Sequence, residues 1–204
     1  EKENNERVRF VDLKEERLMQ KIMLERNQKD YLDYYLFLMD TGLRKTEALK
    51  LKKSDVQTDV VSKTQYVIVQ ESKNNEKRSV PLCKRASEIV SRLIEHKEED
   101  DCIFQLNTWT VQHKWTDLRE LMGLEDDREF TLHALRHTYA SRLAQSGKVD
   151  FHKIGVLMGH KSLQMTKRYS HLMPQHTFSV VDVLDNDRSS DASEKLIDIK
   201  SHKG

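Results

Sequence analysis

The sequence has little cysteine and no long apolar run. Its 204 residues include two cysteines, Cys83 and Cys102, which form no C-x-x-C pair. That spacing excludes a zinc knuckle and a disulfide framework and is typical of a reducing compartment. No apolar run approaches the length of a membrane helix, and no signal-peptide pattern opens the chain. These absences predict a soluble protein of the cytoplasm.

Two catalytic signatures are also missing. The sequence has no G-x-x-x-x-G-K-[ST] loop for a nucleotide and no clustered Asp/Glu pair of the kind found in two-metal nucleases. We therefore expect neither a P-loop nucleotide site nor a two-metal site.

Charge is balanced overall but unevenly distributed. The formal net charge is only +1, which by itself is no argument for a nucleic-acid partner. Acids are concentrated in the tail from Asp182 onward, whereas residues 131–169 hold a single acid, Asp150. The basic residues of that stretch are Arg136, Arg142, Lys148, Lys153, Lys161, Lys167 and Arg168. Such a segregated basic stretch predicts a polyanionic partner.

Hydrophobic periodicity predicts an α+β fold that is mostly helical, with one small antiparallel sheet. Helical spacing covers residues 13–27, 31–41, the segment from Leu43, 86–94, 108–122, 131–146 and 150–158, followed by a last helix from Ser162 to Tyr169. Between residues 55 and 82 the period changes to two, which predicts two or three strands and a hairpin that contains Lys73. No internal repeat and no domain linker interrupts this pattern.

Several polar side chains suit phosphate chemistry. Arg44 and Arg136 can each bind two phosphate oxygens through a planar guanidinium that stays charged. Tyr169 is a candidate nucleophile; its phenol costs roughly 4 kcal/mol to ionise at pH 7, so it needs a base or a strong positive field. His133 shares a helical face with Arg136 and can accept a proton.

Each of these residues also has a plainer interpretation. Arg44 with Glu47 is an ordinary surface ion pair when taken alone, and Lys73 is an ordinary hairpin lysine. His133 and His137 have the spacing of a zinc helix, but Ala134 stands where the H-E-x-x-H motif needs glutamate, so we expect no metal. We assign His137 to packing in the core or at an interface.

Four separated motifs, in order, resemble the catalytic domain of the tyrosine recombinases, the phage-integrase family. They are TGLRKTE at residues 41–47, the Lys73 hairpin ahead of RSVPL at 78–82, HALRHT at 133–138, and LMGHKS at 157–162 followed by Tyr169 in MTKRYSHL. The resemblance covers roughly residues 12–183. It implies the fold of DNA breaking-rejoining enzymes.

The resemblance implies a reaction and a role for each residue. Tyr169 would attack a scissile phosphodiester in duplex DNA and form a covalent 3′-phosphotyrosine and a free 5′ hydroxyl. The reaction would require no metal or nucleotide cofactor. Arg44, Arg136 and His160 would hold the phosphate, His133 would take the tyrosine proton, and Lys73 would protonate the departing 5′ oxygen. Glu47 would orient Arg44 or His133. Further DNA contacts are expected from Lys45, Arg142, Lys161, Lys167 and Arg168.

Partners follow from the same resemblance. Family members act as tetramers on two synapsed DNA sites, with the segment after the tyrosine docked on a neighbouring subunit, so residues 178–184 are our candidate for that contact. DNA-bending accessory proteins are further possible partners. We expect the chain to work in the bacterial nucleoid or a phage-infected cell.

Domain limits and two alternatives complete the expectations. Residues 1–184 should form the catalytic domain and 185–204 a polar, mobile tail. The helical core-binding domain that precedes Arg44 in this family has no counterpart here, so we expect the chain to be a fragment of a longer recombinase. The alternatives are a type IB topoisomerase-like enzyme that nicks and closes DNA, and a non-catalytic DNA-binding assembly domain.

Overall fold

The computed structural model describes residues 8–70 and 77–174. The helices are α1 (Leu13–Glu25), α2 (Lys29–Thr41), α3 (Lys45–Lys50), α4 (Lys84–Ile94), α5 (Thr108–Leu121), α6 (Leu132–Ser146), α7 (Phe151–Met158) and α8 (Leu163–Thr166). The strands are β1 (Val56–Thr58), β2 (Gln65–Gln70) and β3 (Lys77–Pro81), and 3₁₀ turns cover Lys53–Asp55 and Lys167–Leu172. The predicted mostly helical α+β fold is confirmed.

Helix boundaries follow local capping chemistry. Asp12 and Glu15 form the predicted capping box at the start of α1. The helix ends two residues before the predicted Asn27, because Asn27 takes a left-handed φ of 55° that cannot continue it. Thr131 and Asp150 cap α6 and α7 as predicted. Ser162 precedes α8 but makes no side-chain cap bond.

Helix α2 is the centre of the main core. Its side chains are buried on nearly all sides, including Tyr34, Tyr35 and Phe37. The two tyrosine hydroxyls donate to the carbonyls of Lys45 and Val111, at 2.7 and 2.9 Å, so each buried polar group has a partner. These bonds tie α2 to the start of α3 and to α5.

The sheet has three antiparallel strands in the order β1-β2-β3. Val67 pairs with Val80 and Val69 with Arg78. Val67, Val69 and Val80 are buried against the main core. Because side chains alternate along a strand, Arg78 shares the face of Val80 and points inward.

A second, smaller core lies under α6, α7 and the turn that carries Tyr169. It consists of Ala140, Ala144, Ile154, Met158 and Tyr169. The nucleophile candidate is therefore also a packing residue. Within the described ranges, no helix has the length and apolar character needed to cross a membrane.

Candidate active site

Glu47 organises the first part of the site. It occupies the third position of α3, and its carboxylate accepts from the backbone N–H of Arg44 at 2.8 Å and from Arg44 Nη1 at 2.7 Å. Burial alone would raise the pKa of Glu47, but hydrogen bonds from Arg78 and Arg44 lower it below its ordinary value. Glu47 therefore stays ionised and binds Arg44.

Arg78 is a site residue that sequence reasoning missed. Its Nη2 lies 2.7 Å from Glu47 Oε2, and its Nε donates to the carbonyl of Leu157 at 3.2 Å. The side chain is only 8% exposed. The signal was present in the sequence, because alternation with Val80 places an arginine on the buried face of a strand.

Arg136 is almost completely buried, with 3% of its surface exposed. Its Nη1 donates to the carbonyl of Gly42 and its Nη2 to that of Met158. Burial, followed by the nearby charge of Arg44, lowers the pKa of Arg136 to about 10. The guanidinium thus remains charged at neutral pH in a place that disfavours charge.

The C-terminus of α7 brings the three arginines together. Arg78, Arg136 and Arg44 donate to three successive carbonyls, those of Leu157, Met158 and Gly159; the last bond, from Arg44 Nη2, is 3.3 Å long. The last carbonyls of a helix lack partners in their own helix and form the negative end of its dipole. They can therefore gather cations from β3, α6 and the loop before α3 at a single point.

His160 follows directly after that helix end. Its backbone N–H donates to the carbonyl of Gly155 at 2.9 Å, and Gly159 N–H donates to that of Val156, which together form a Schellman motif. Its Nδ1 lies 2.8 Å from Thr166 Oγ1. Burial and then the charges of Arg136 and Arg44 lower the pKa of His160 to about 4.

Tyr169 is 1% exposed. Its Oη lies 2.6 Å from Nδ1 of His137. Burial raises the pKa of Tyr169 to about 12, although Arg136 and Arg168 act in the opposite direction. Burial also lowers the pKa of His137 to about 3, with a further contribution from His133.

The residue beside the tyrosine hydroxyl is thus His137, which the sequence had assigned to packing. His133, the predicted proton acceptor, is exposed one turn earlier on α6, and its ring stands perpendicular to that of His137 with centroids 4.6 Å apart. Their spacing predicts that His133 and His137 share one helical face, but it does not predict which of the two the side chain of Tyr169 contacts. No group of three or more His, Cys, Asp or Glu in the described residues could hold a metal ion.

The predicted DNA-contact residues fall in two places. Lys161, Lys167 and Arg168 are exposed around the end of α7 and the turn of Tyr169, and Lys45 is half-buried beside Arg44. Arg142 lies elsewhere, where its Nη2 is 2.5 Å from Glu16. Glu16 also binds Arg85, so Arg142 is engaged in an internal ion-pair network. Lys73 lies outside the described residues.

A mostly helical domain with a small three-stranded antiparallel sheet is also the fold of solved recombinase structures that this chain resembles. The chain belongs to the phage integrase family, whose model matches residues 10–176. The predicted resemblance is thereby confirmed.

Individual relatives of the chain are also recombinases. The chain is 28% identical over 178 residues to a shufflon-specific DNA recombinase of Escherichia coli, covering 86% of this chain and 43% of that protein. It is 30% identical over 148 residues to the tyrosine recombinase XerA of Thermococcus kodakarensis, covering 69% and 50%. The chain spans about half the length of the curated relatives it matches.

Solved structures show the same fold. The catalytic domain of bacteriophage HP1 integrase superposes with a TM-score of 0.67 at 23% identity, covering 86% of this chain and 94% of that one. The XerH recombinase bound to palindromic difH substrate, in a post-cleavage complex, gives 0.64 at 20% identity over 87% and 54%.

Proposed function

We propose that this domain cuts and rejoins DNA strands as part of a site-specific recombinase. Tyr169 Oη attacks a scissile phosphorus, the 3′-phosphotyrosine bond forms, and the bond to the 5′ oxygen breaks. A 5′ hydroxyl, from the same or a partner duplex, reverses the step. The observation that carries the proposal is the convergence of Arg44, Arg136 and His160 on the C-terminus of α7, next to the segment that holds Tyr169.

The assigned roles follow from chemistry and position. Arg44 and Arg136 neutralise the non-bridging oxygens, because each guanidinium has more N–H donors than its protein contacts use. His160 donates a third hydrogen bond. His133 accepts the proton of Tyr169, and Lys73 delivers one to the departing oxygen.

Tyr169 must leave its buried position for this reaction. At a pKa of about 12, ionising the phenol at pH 7 costs about 7 kcal/mol, so the arrangement with His137 is unreactive. We propose that DNA binding shifts the 3₁₀ turn Lys167–Leu172 while Thr166 stays against His160, which brings the hydroxyl of Tyr169 to the phosphate and into the field of the arginines.

The phosphate exchange conserves bond energy in the phosphotyrosine and requires no metal or nucleotide. Double-stranded DNA is the proposed substrate, and XerH in complex with its difH site supports this by likeness of fold. We further propose a tetramer on two DNA sites with residues 178–184 docked in trans, a segment outside the described residues.

The test is incubation with supercoiled plasmid in EDTA, followed by denaturing gel electrophoresis for protein joined to DNA. The chain should give a metal-independent adduct or relaxation, and Tyr169→Phe should give neither. An adduct that persists in Tyr169→Phe, or one that requires a divalent metal, contradicts the proposal. A nicked site that traps the adduct makes the assay independent of efficient rejoining.

Lys73 has its own test. Lys73→Ala should cleave an ordinary site slowly but a site with sulfur at the 5′-bridging position at nearly the wild-type rate, because a thiolate leaves without protonation. An equal loss of cleavage rate on both substrates would exclude Lys73 as the proton donor.

A further inference from the structure

The contact between His160 and Thr166 determines more than the orientation of a ring. Thr166 is completely buried. Its Oγ1 lies 2.8 Å from Nδ1 of His160. Within residues 8–70 and 77–174, that ring nitrogen is the only hydrogen-bond partner of the hydroxyl.

A buried hydroxyl proton needs an acceptor. Since the Oγ1–H of Thr166 has only Nδ1 within reach, the threonine is the donor and Nδ1 presents its lone pair. The imidazole proton must then sit on Nε2. Were Nδ1 protonated, it would donate to Oγ1, and the hydroxyl proton would turn away from its only acceptor and stay buried without a partner.

Gly155 provides the space for this contact. A Cβ at position 155 would lie 2.8 Å from Thr166 Oγ1. Gly155 lies within α7, and its carbonyl also accepts the backbone N–H of His160. Gly155 therefore positions His160 in two ways. Its carbonyl accepts the backbone N–H of His160, and its lack of a side chain leaves room for the Thr166 hydroxyl that contacts the ring.

We propose that Thr166 is a positioning residue of the site, which holds His160 as the neutral Nε2–H tautomer so that Nε2–H is a hydrogen-bond donor for a phosphate oxygen. That the acceptor is a DNA phosphate rests on the function proposed above. The tautomer itself does not. His160 then contributes one directed hydrogen bond and no charge, and the positive charge of the site comes from the arginines.

The surroundings agree with a neutral ring. The groups that act on His160 are Arg136, Arg44, Arg168 and His133, and none of them is an anion. The pKa of about 4 keeps the imidazole neutral at the pH of the cell. In the free chain, the tautomer of His160 therefore should not vary with pH between 6 and 8.

The first test needs no DNA. Long-range proton–nitrogen NMR of the uniformly ¹⁵N-labelled chain at pH 7 reports which nitrogen of His160 carries the proton. We expect the Nε2–H form in the wild type and in Thr166→Ser, and a mixture with the Nδ1–H form in Thr166→Val. An Nδ1–H or doubly protonated ring in the wild type overturns the proposal whether or not any variant folds.

The second test measures adduct formation on the nicked site. Thr166→Val should slow it by about tenfold or more, since one hydrogen bond corresponds to roughly that factor, and Thr166→Ser should restore it. Gly155→Ala should act like Thr166→Val. An unchanged rate in Thr166→Val contradicts the proposal.

Thr138→Val is the matched control. Thr138 is equally buried, and its hydroxyl bonds to the carbonyl of Ala134 and to Val11 N–H. Its removal should affect stability but leave the His160 tautomer unchanged. If the plasmid assay shows no adduct while the wild-type tautomer is Nε2–H and shifts in Thr166→Val, the proposed function fails and the role of Thr166 stands.

Discussion

The hydroxyl of Tyr169 and Nδ1 of His137 are 2.6 Å apart. Because His137 is neutral and Tyr169 protonated at ordinary pH, the phenol donates to the imidazole. This bond ties the 3₁₀ turn of Tyr169 to α6. It also keeps the phenol of Tyr169, the proposed nucleophile, protonated and therefore unreactive.

A double-mutant cycle should detect this bond. His137→Phe fills the space but leaves the tyrosine hydroxyl buried without an acceptor, which should lower the free energy of unfolding by about 1–3 kcal/mol. In the Tyr169→Phe background the same change should cost less, because no hydroxyl remains. Urea unfolding of the four proteins gives the coupling energy; a coupling of zero would show that the bond does not contribute to stability.

Acid should destabilise the fold through the half-buried His137. The pKa of His137 is lowered from 6.5 to about 3, so below pH 6.5 the unfolded chain binds a proton that the folded chain does not. The contribution of neutral His137 to the free energy of unfolding is therefore fully present above pH 6.5 and is lost as the pH falls toward 3. Partial exposure of the ring moderates the effect, and we expect a loss of about 1–2 kcal/mol between pH 7 and pH 5 from this group.

Urea unfolding at pH 7 and pH 5 measures that loss. The decrease should be smaller by this amount in His137→Phe than in the wild type. His152→Gln, which changes an exposed histidine, is the control and should leave the decrease unchanged. An identical pH dependence in His137→Phe and wild type would contradict the assignment.

Most of the fold was predictable because it rests on local signals. The capping residues Asp12, Thr131 and Asp150 and the terminating glycines Gly147 and Gly159 mark helix ends within the chain itself. The end of α1 was missed because the left-handed conformation of Asn27 carries no strong sequence signal.

The sequence predicts which residues form the candidate site but not which contacts they make. Motifs identify Arg44, Arg136, His160 and Tyr169 because they stand at fixed spacings. The bond from Arg136 to the carbonyl of Met158 joins helices whose relative position is set by tertiary packing. Such a contact cannot be derived from periodicity. The catalytic roles of these site residues stay predictions, as do those given to Lys73 and to residues 178–184, which lie outside the described residues.

Gly42 should not tolerate a side chain. Its φ is +65°, and a Cβ there would lie 2.4 Å from Tyr139 Cδ1. Gly42→Ala combines backbone strain with a clash against a ring, and should lower the free energy of unfolding by about 2–4 kcal/mol. Its carbonyl also binds Arg136, so adduct formation should decrease as well.

Gly123→Ala is the matched control, measured by the same urea titration. Gly123 has a φ of +68° with nothing within 4 Å of an added Cβ. It should therefore show the backbone cost alone, about 1 kcal/mol. If both variants lose the same stability, contact with Tyr139 is not what requires glycine at position 42.

Replacing Glu47 by glutamine should make the fold dependent on anions. Glu47 is the carboxylate that pairs with Arg44, whose other described contact is the carbonyl of Gly159. Glutamine keeps the shape of the side chain but removes its charge. Glu47→Gln should therefore lower the free energy of unfolding by about 1–3 kcal/mol. Inorganic phosphate should then stabilise the variant more than the wild type, because the anion supplies the missing charge.

Glu99→Gln is the control. It breaks an exposed pair with Lys53 and should change stability by less than about 1 kcal/mol, with no added response to phosphate. Equal stabilisation of Glu47→Gln and wild type by phosphate, followed in thermal unfolding at constant ionic strength, would show that the arginines do not form an anion site.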